Sequence, residues 1–416
     1  MSAVLAPATD EGLNAPLDAA FVQNPYPRYR AWREAGRLHW RPAFFGGAWV
    51  LSHHADVEAA LRDPRLSAQR TGGWVMQDDT ARQELKGFQE LFARAMLFVD
   101  APEHPRLRRV MNAGFRADTI QALAPQIEAM VTRRLDAITS PEQGFDAMAA
   151  LARPLPAEVI ARLMGVAEGD ALQPQFITWS DDLAHFIGAP QPTLALARRA
   201  QAGLLGMARY FEQQLQQRRG QPPRDDLVGR LLQAVDAGEI DAGPELLAQC
   251  AMLLFAGHET TRNLLGNGLW ALLSTPGAWQ QLQDEPALLP NAVRELLRFE
   301  APVQYTGRRV ATDFEWHGHT LRRGELVVAL IGAANRDPAR HSAPDVLDLT
   351  RDKPGLLAFG SGPHVCIGAS LSLLEAQTVF TQMLQRWPDL RLMDTTPAWA
   401  PNPVYRGLVQ LNVRAG

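Results

Sequence analysis

Residues 244–274 place the strongest constraint on what this chain can fold into. Helical hydrophobic spacing runs from Pro244 to Ser274, unusually long for one helix. Pro244 sits near its start and Pro276-Gly277 lie past its end, where start and stop signals belong. The middle of the stretch, LLAQCAMLLFAGHETT, is interrupted by Gln249, Gly257, His258 and Glu259. It falls short of the roughly 18 apolar residues of a membrane span. It reads as a buried helix, around which a globular protein must be assembled.

The rest of the chain suits that role. The 416 residues are 46% hydrophobic with a net charge of −4, which leaves no basic footprint for bulk nucleic-acid binding. A strand-like stretch, AWVLSHHADV, runs into a helix that stops near Asp63-Pro64. Residues 70–100 look irregular, with Gly72-Gly73 and scattered Trp74, Met76, Phe88, Phe92 and Phe98. A helix opens after Asp100-Ala101-Pro102, since proline is favoured in a first turn. From about 117 to 285 the period is almost wholly helical, broken at GAPQP and RGQPP. Strand-type pieces return at PVQYTGRRVA, FEWHG and ELVVALI, and a final amphipathic helix follows at ASLSLLEAQTVFTQMLQRW. The expected fold is mainly α with small β-sheets, a single large domain over residues 1–416, of which 1–20 form a flexible N-terminal segment. The N-terminus lacks the basic region and apolar core of a signal peptide. Two cysteines, Cys250 and Cys366, are too few for a disulfide scaffold or a Cys-rich metal site. A cytoplasmic protein with no membrane anchor is expected.

The segment with the sharpest chemistry is Phe359-Gly360-Ser361-Gly362-Pro363-His364-Val365-Cys366-Ile367-Gly368. Glycines allow tight turns and close approach to a flat partner. A cysteine just before a helix meets free N–H groups that favour the thiolate. A thiolate is also the axial ligand that pushes electron density onto haem iron. A lone cysteine in a turn is more often inert, but the spacing F-G-x-G-x-H-x-C-x-G makes chance a poor explanation.

This spacing resembles the haem loop of the cytochrome P450 monooxygenases, and other motifs of that family follow in the right order. Glu295-Leu296-Leu297-Arg298 matches its E-x-x-R, a structural pair on one helix face. Ala256-Gly257-His258-Glu259-Thr260-Thr261 matches A/G-G-x-D/E-T-T in the middle of the long helix. Glycine and threonine beside an acid oppose helix stability there, a conflict that tends to mark functional sites. The resemblance implies that Ala256 and Gly257 let the helix pass close over haem b. Thr260 would hydrogen-bond bound dioxygen, and Glu259 would help deliver protons. His258, the variable position, reads as a packed or partner-bonded histidine.

His104 and Arg108, four apart in a helix, resemble the family's propionate-binding H-x-x-x-R. A third propionate ligand is expected from Thr306-Gly307-Arg308-Arg309: Arg308 takes the family position and Arg309 is the register alternative. Phe359 and His364 match cofactor-contacting positions of the loop around Cys366, the expected axial ligand.

The implied reaction inserts one oxygen atom of dioxygen into a hydrophobic small organic substrate. The chain ends 50 residues after Cys366 with no flavin or iron–sulfur segment. Electrons are therefore expected from a separate ferredoxin and ferredoxin reductase, with Arg106 and Arg109 as candidate docking residues. A peroxide-driven peroxygenase and a non-enzymatic haem sensor are the competing readings; neither needs the Glu259–Thr260 pair. The substrate pocket is expected from residues 70–100, the helices around 170–215, Leu253–Ala256, Val303–Tyr305 and the tail near Leu408.

Overall fold

The computed structural model describes residues 13–69, 79–167, 173–189, 192–222, 224–352 and 354–416. Gly72, Gly73, Trp74 and Met76 lie outside them. In chain order, the helices that build the site are α1 (Glu103–Asn112), α2 (Ala117–Asp136), α3 (Pro154–Leu163) and α4 (Gln173–Gly188). They continue with α5 (Leu194–Arg218), α6 (Pro244–Ser274), α7 (Leu289–Phe299) and α8 (Ala369–Arg386).

Helix α6 has the bounds that its prolines suggested. It is apolar on nearly every side, so it cannot lie at a surface. Helices α3, α4, α5, α7 and α8 all pack against it, and α8 also leans on α2. Leu246, Cys250, Leu254, Leu265 and Leu272 are all buried along its length. Among the described residues no helix is long and apolar enough to cross a membrane.

Beside this helical mass lies a five-stranded sheet made of β1 (His39–Arg41), β2 (Ala48–Leu51), β3 (Leu66–Ser67), β4 (Thr306–Val310) and β5 (Leu326–Ala329). The strand order is β1-β2-β5-β4-β3. Strands β2 and β5 run parallel, with Val50 opposite Val328; β4 and β5 run antiparallel, with Arg308 opposite Val327. Side chains alternate faces along a strand. In β4 this buries Arg308 and Val310 and leaves Arg309 at the edge of the core. The remaining sheets are two- and three-stranded.

Two buried ion networks tie α7 and its C-terminal end to the segments around it. On α7, Arg298 donates Nε and Nη2 to the two oxygens of Glu295, both at 2.7 Å, with neither side chain exposed. Its remaining hydrogens go to the carbonyls of Asn335, Pro344 and Val346, and Arg351 Nε also reaches Glu295 at 3.1 Å. Such a pair is tolerable in a core only when every donor is used. The second network centres on Glu300, which accepts from Tyr26 Oη (2.7 Å), Arg406 Nε (2.7 Å) and Arg336 Nη2 (3.3 Å). Arg406 reaches onward to the Val22 carbonyl at 2.7 Å.

Two expectations need correction. Residues 79–98 are not irregular: Asp79–Glu84 and Lys86–Ala93 are helices, followed by a tight turn over Met96–Phe98. Phe88, Leu91 and Phe92 sit at helical spacing, but the segments are too short for the period to stand out. The protein is also packed earlier than residue 20. Leu13 is buried, its carbonyl accepts from Trp32 Nε1 at 2.8 Å, and Ala19–Gln23 form a helix.

Candidate active site

A cavity of about 360 Å³ lies between α6, the Cys366 loop, α1, β4 and the chain near residue 404. Its wall is mostly apolar. Among the described residues it receives no aspartate or glutamate, yet His104, Arg108, Arg308, Arg309 and His364 all contribute to it. His104 and His364 lie ring to ring, with centroids 4.0 Å apart. Burial and the Arg108 and Arg308 charges hold the His104 ring below the usual histidine range. Arginines and histidines gathered at one apolar wall offer donors that suit an anion. A flat apolar ring carrying two carboxylates fits such a wall.

The cysteine loop is held from three sides. Gly360 and Gly362 take φ of 74° and 73°, conformations that favour glycine. A Cβ on Gly362 would stand 2.9 Å from the Leu61 carbonyl oxygen, so this glycine is also needed for room. Cys366 N–H donates to the Phe359 carbonyl at 2.8 Å, closing the turn. Arg62 Nε donates to Ser361 Oγ at 2.8 Å, and Arg108 Nη1 donates to the Val365 carbonyl at 2.5 Å. Phe359, His364 and Cys366 all reach the cavity wall, where the Cys366 side chain is open to the cavity.

The thiol differs from its sequence-based expectation. Burial pushes the Cys366 thiol up, while the Gly368 N–H and the Arg108 guanidinium pull it down less strongly. The helix terminus therefore does not by itself make a thiolate. A cation bonded to sulfur would deprotonate it outright.

On α6, neighbouring residues diverge by about 100° around the helix axis, and the motif splits accordingly. Ala256, Thr260 and Thr261 reach the cavity wall. Gly257 does not: a Cβ there would meet Ile160 of α3 at 2.8 Å. Its small size serves the close contact between α6 and α3, which corrects the expectation that both small residues face the cofactor. Thr260 Oγ1 donates to the Ala256 carbonyl at 3.0 Å, one turn back. Thr261 shares a 2.9 Å hydrogen bond with Ser372 of α8. His258 turns away to the Arg153 carbonyl at 3.1 Å, and burial together with Arg262 lowers it to about 4. It is a neutral packed histidine, as its position in the motif suggested.

Glu259 is buried beside the cavity rather than in its wall. One oxygen accepts from Arg262 Nη2 (2.5 Å) and Asn263 Nδ2 (3.2 Å). The other is buried with no partner. Burial raises its carboxyl above the usual range, Arg262 opposes the rise, and Asp181 adds to it. A carboxyl in this setting takes and gives a proton more readily near neutral pH than an exposed one.

Arg106 is not free for a partner protein. It is paired with Glu245 at the start of α6 and donates to the Glu239 carbonyl at 2.9 Å, whereas Arg109 is exposed. The substrate side of the wall includes Phe92, Phe98, Phe186, Leu253 and Val303. From the tail it takes Val404 and Tyr405, not Leu408, which is buried in strand pairing with Trp399. Among the described residues of the helices around 170–215, only those of α4 contribute. No local sequence signal marks Ser372 or Asp181, whose placement depends on how α4 and α8 cross α6.

The family model for cytochrome P450 matches residues 75–398. The chain belongs to the cytochrome P450 family. Cytochrome P450 107B1 of Saccharopolyspora erythraea is 36% identical over 405 residues, covering 96% of this chain and 97% of that protein. The cytochrome P450 monooxygenase PikC of Streptomyces venezuelae is 34% identical, covering 96% and 92%. Among solved structures, P450BioI in complex with an acyl-carrier protein bearing hexadec-9Z-enoic acid superposes with a TM-score of 0.88. It is 31% identical, over 95% of this chain and all of that one. This P450 is thus a monooxygenase of a family that uses haem, small-molecule substrates and electron donors.

Proposed function

We propose that this P450 holds haem b with Cys366 as the axial ligand and inserts one atom of dioxygen into a hydrophobic small organic molecule. Electrons would come from a ferredoxin and its reductase. The observation that carries the reading is the cavity itself, an apolar slot with one presented thiol and with His104, Arg108, Arg308 and His364 gathered in its wall. When bound, haem supplies the dioxygen chemistry. The chain supplies the anchoring, the dry surroundings and the protons.

His104, Arg108 and Arg308 hold the propionates, and His364 and Phe359 close the loop side. Both arginines reach the cavity wall, but Arg308 is buried in β4 while Arg309 Nη1 is engaged with the Gly324 carbonyl at 2.8 Å. Charge-assisted hydrogen bonds contribute roughly 1.5–3 kcal/mol each. Arg308→Ala should therefore lower haem retention in a competition with apomyoglobin, while Arg309→Ala changes it little. The reverse ranking would assign the propionate to Arg309.

Thr260 and Glu259 divide the proton work. Glu259 holds a proton beside the cavity, and the Thr260 hydroxyl orients its delivery at the wall. In Thr260→Ala, NADH consumption should largely persist while product per NADH falls sharply and hydrogen peroxide rises. Haem content and melting temperature of the same variant provide the control for a structural role. Tight coupling in Thr260→Ala would shift this work to Thr261 or a bound water.

A further inference from the structure

Arg262 is shared between two carboxylates on two helices. Its Nη2 donates to Glu259 on its own helix α6, and its Nη1 donates to Asp181 Oδ1 of α4 at 2.6 Å. Exposure rises along this line: the Glu259 side chain is 3% exposed, Arg262 12% and Asp181 33%. The chain of charges therefore leads from solvent to the buried acid. Helix α4 is also part of the cavity, since Phe186 and Ile187 stand in its wall. His185 directly precedes them and Asp181 lies one turn before His185, with the His185 ring bonding the Asp181 carbonyl at 2.6 Å. Near its end α4 is tied to the cavity's tail wall by Asn402 Nδ2, which donates to the Ala184 carbonyl at 3.0 Å. A single rigid helix thus touches both the substrate space and the arginine that grips Glu259.

We propose that Asp181 is a positioning residue for the reaction: it sets how firmly Arg262 holds Glu259, and through α4 it makes proton supply depend on whether the cavity is filled. The proposal rests on Glu259 as the proton carrier. A guanidinium pinned by Asp181 gives Glu259 only part of its charge. If α4 is pushed outward at Phe186, Asp181 moves with it and the division changes. The charged and titratable groups that act on Glu259 are Arg262 of α6 and Asp181 and His185 of α4; of these, Asp181 favours the protonated acid and the other two oppose it. Removing the Asp181 charge therefore lowers the Glu259 titration midpoint twice over, by losing a like charge and by releasing Arg262 to Glu259 alone. More of the acid is then ionised at neutral pH, and less is ready to donate.

The test is an infrared titration of the haem-loaded ferric protein. The Glu259 carboxyl band is identified by its loss in Glu259→Gln, and 4-phenylimidazole serves as the cavity-filling probe. In Asp181→Asn the Glu259 acid dissociation constant should rise about tenfold, one pH unit downward in midpoint. The probe should shift the midpoint in the unaltered protein and not in Asp181→Asn, while Asp181→Glu restores both. Turnover should show a lower kcat near neutral pH with KM unchanged. Asp181→Ser runs in parallel, so that one variant that folds badly does not decide the outcome. An unaltered midpoint in both variants, or a probe shift of the same size with and without Asp181, overturns the proposal. If instead Glu259→Gln keeps full coupling and rate, the role of Glu259 as proton carrier fails, while the titration still reads whether Asp181 controls it.

Discussion

Cys366→His should abolish the strongly red-shifted Soret band of the reduced carbon monoxide complex and, with it, all monooxygenase turnover. Both effects come from the same atom. The loop turns through Gly360 and Gly362 so that one sulfur is open to an otherwise apolar wall, and Cys366 N–H is tied back to Phe359. An imidazole can bind iron from this position, but it does not push electron density as a thiolate does. Haem content is therefore the wrong measure and the spectrum the right one. Burial leaves the thiol above its ordinary range, despite the Gly368 N–H and Arg108, and a metal bond would supply the deprotonation. A Cys366→Ser variant that kept both the thiolate-type band and full activity would remove Cys366 from the site.

Glu295→Ala should cost about 3–5 kcal/mol of stability, the scale for breaking a buried pair and stranding its partner. Arg298 would keep its three carbonyl acceptors but lose both oxygens of its counter-ion at a place with no access to water. Arg351 would lose an acceptor too. Asp79→Ala, which removes the exposed partner of Arg82, should change stability by less than about 1 kcal/mol. Thermal or denaturant unfolding of the two variants side by side reads the difference. Equal losses would mean that the α7 pair is no more important than a surface ion pair.

Much of the fold was legible because its longest element carries its own punctuation. The bounds of α6 followed from Pro244 and Pro276-Gly277, and the break between α4 and α5 from GAPQP. The site was legible where residue types are constrained together, as around Cys366. It was not legible where position depends on tertiary packing. Gly257 and Ala256 look equivalent in the motif, yet adjacent helical positions face different neighbours, and only the crossing of α3 over α6 decides which. Arg106 looked like surface charge because its partner Glu245 lies on another helix. The helices of residues 79–98 escaped notice for a different reason: their apolar repeats span barely two turns.

The clasp around Glu300 bears on how the protein comes off the ribosome. Its carboxylate is neutralised in part by Arg406, a residue synthesised more than a hundred positions later, and Arg406 in turn closes onto the Val22 carbonyl, 384 positions earlier. Until Arg406 emerges, burying Glu300 beside Tyr26 leaves a charge without its full complement, which the low-dielectric interior penalises. Full neutralisation of Glu300 thus requires that the chain has been made as far as Arg406. Val404 and Tyr405, immediately before the clasp, are the last cavity residues to arrive. The wall of the chamber on this side is thus complete only once residues 404–405, made just before the clasp residue Arg406, have joined the chain.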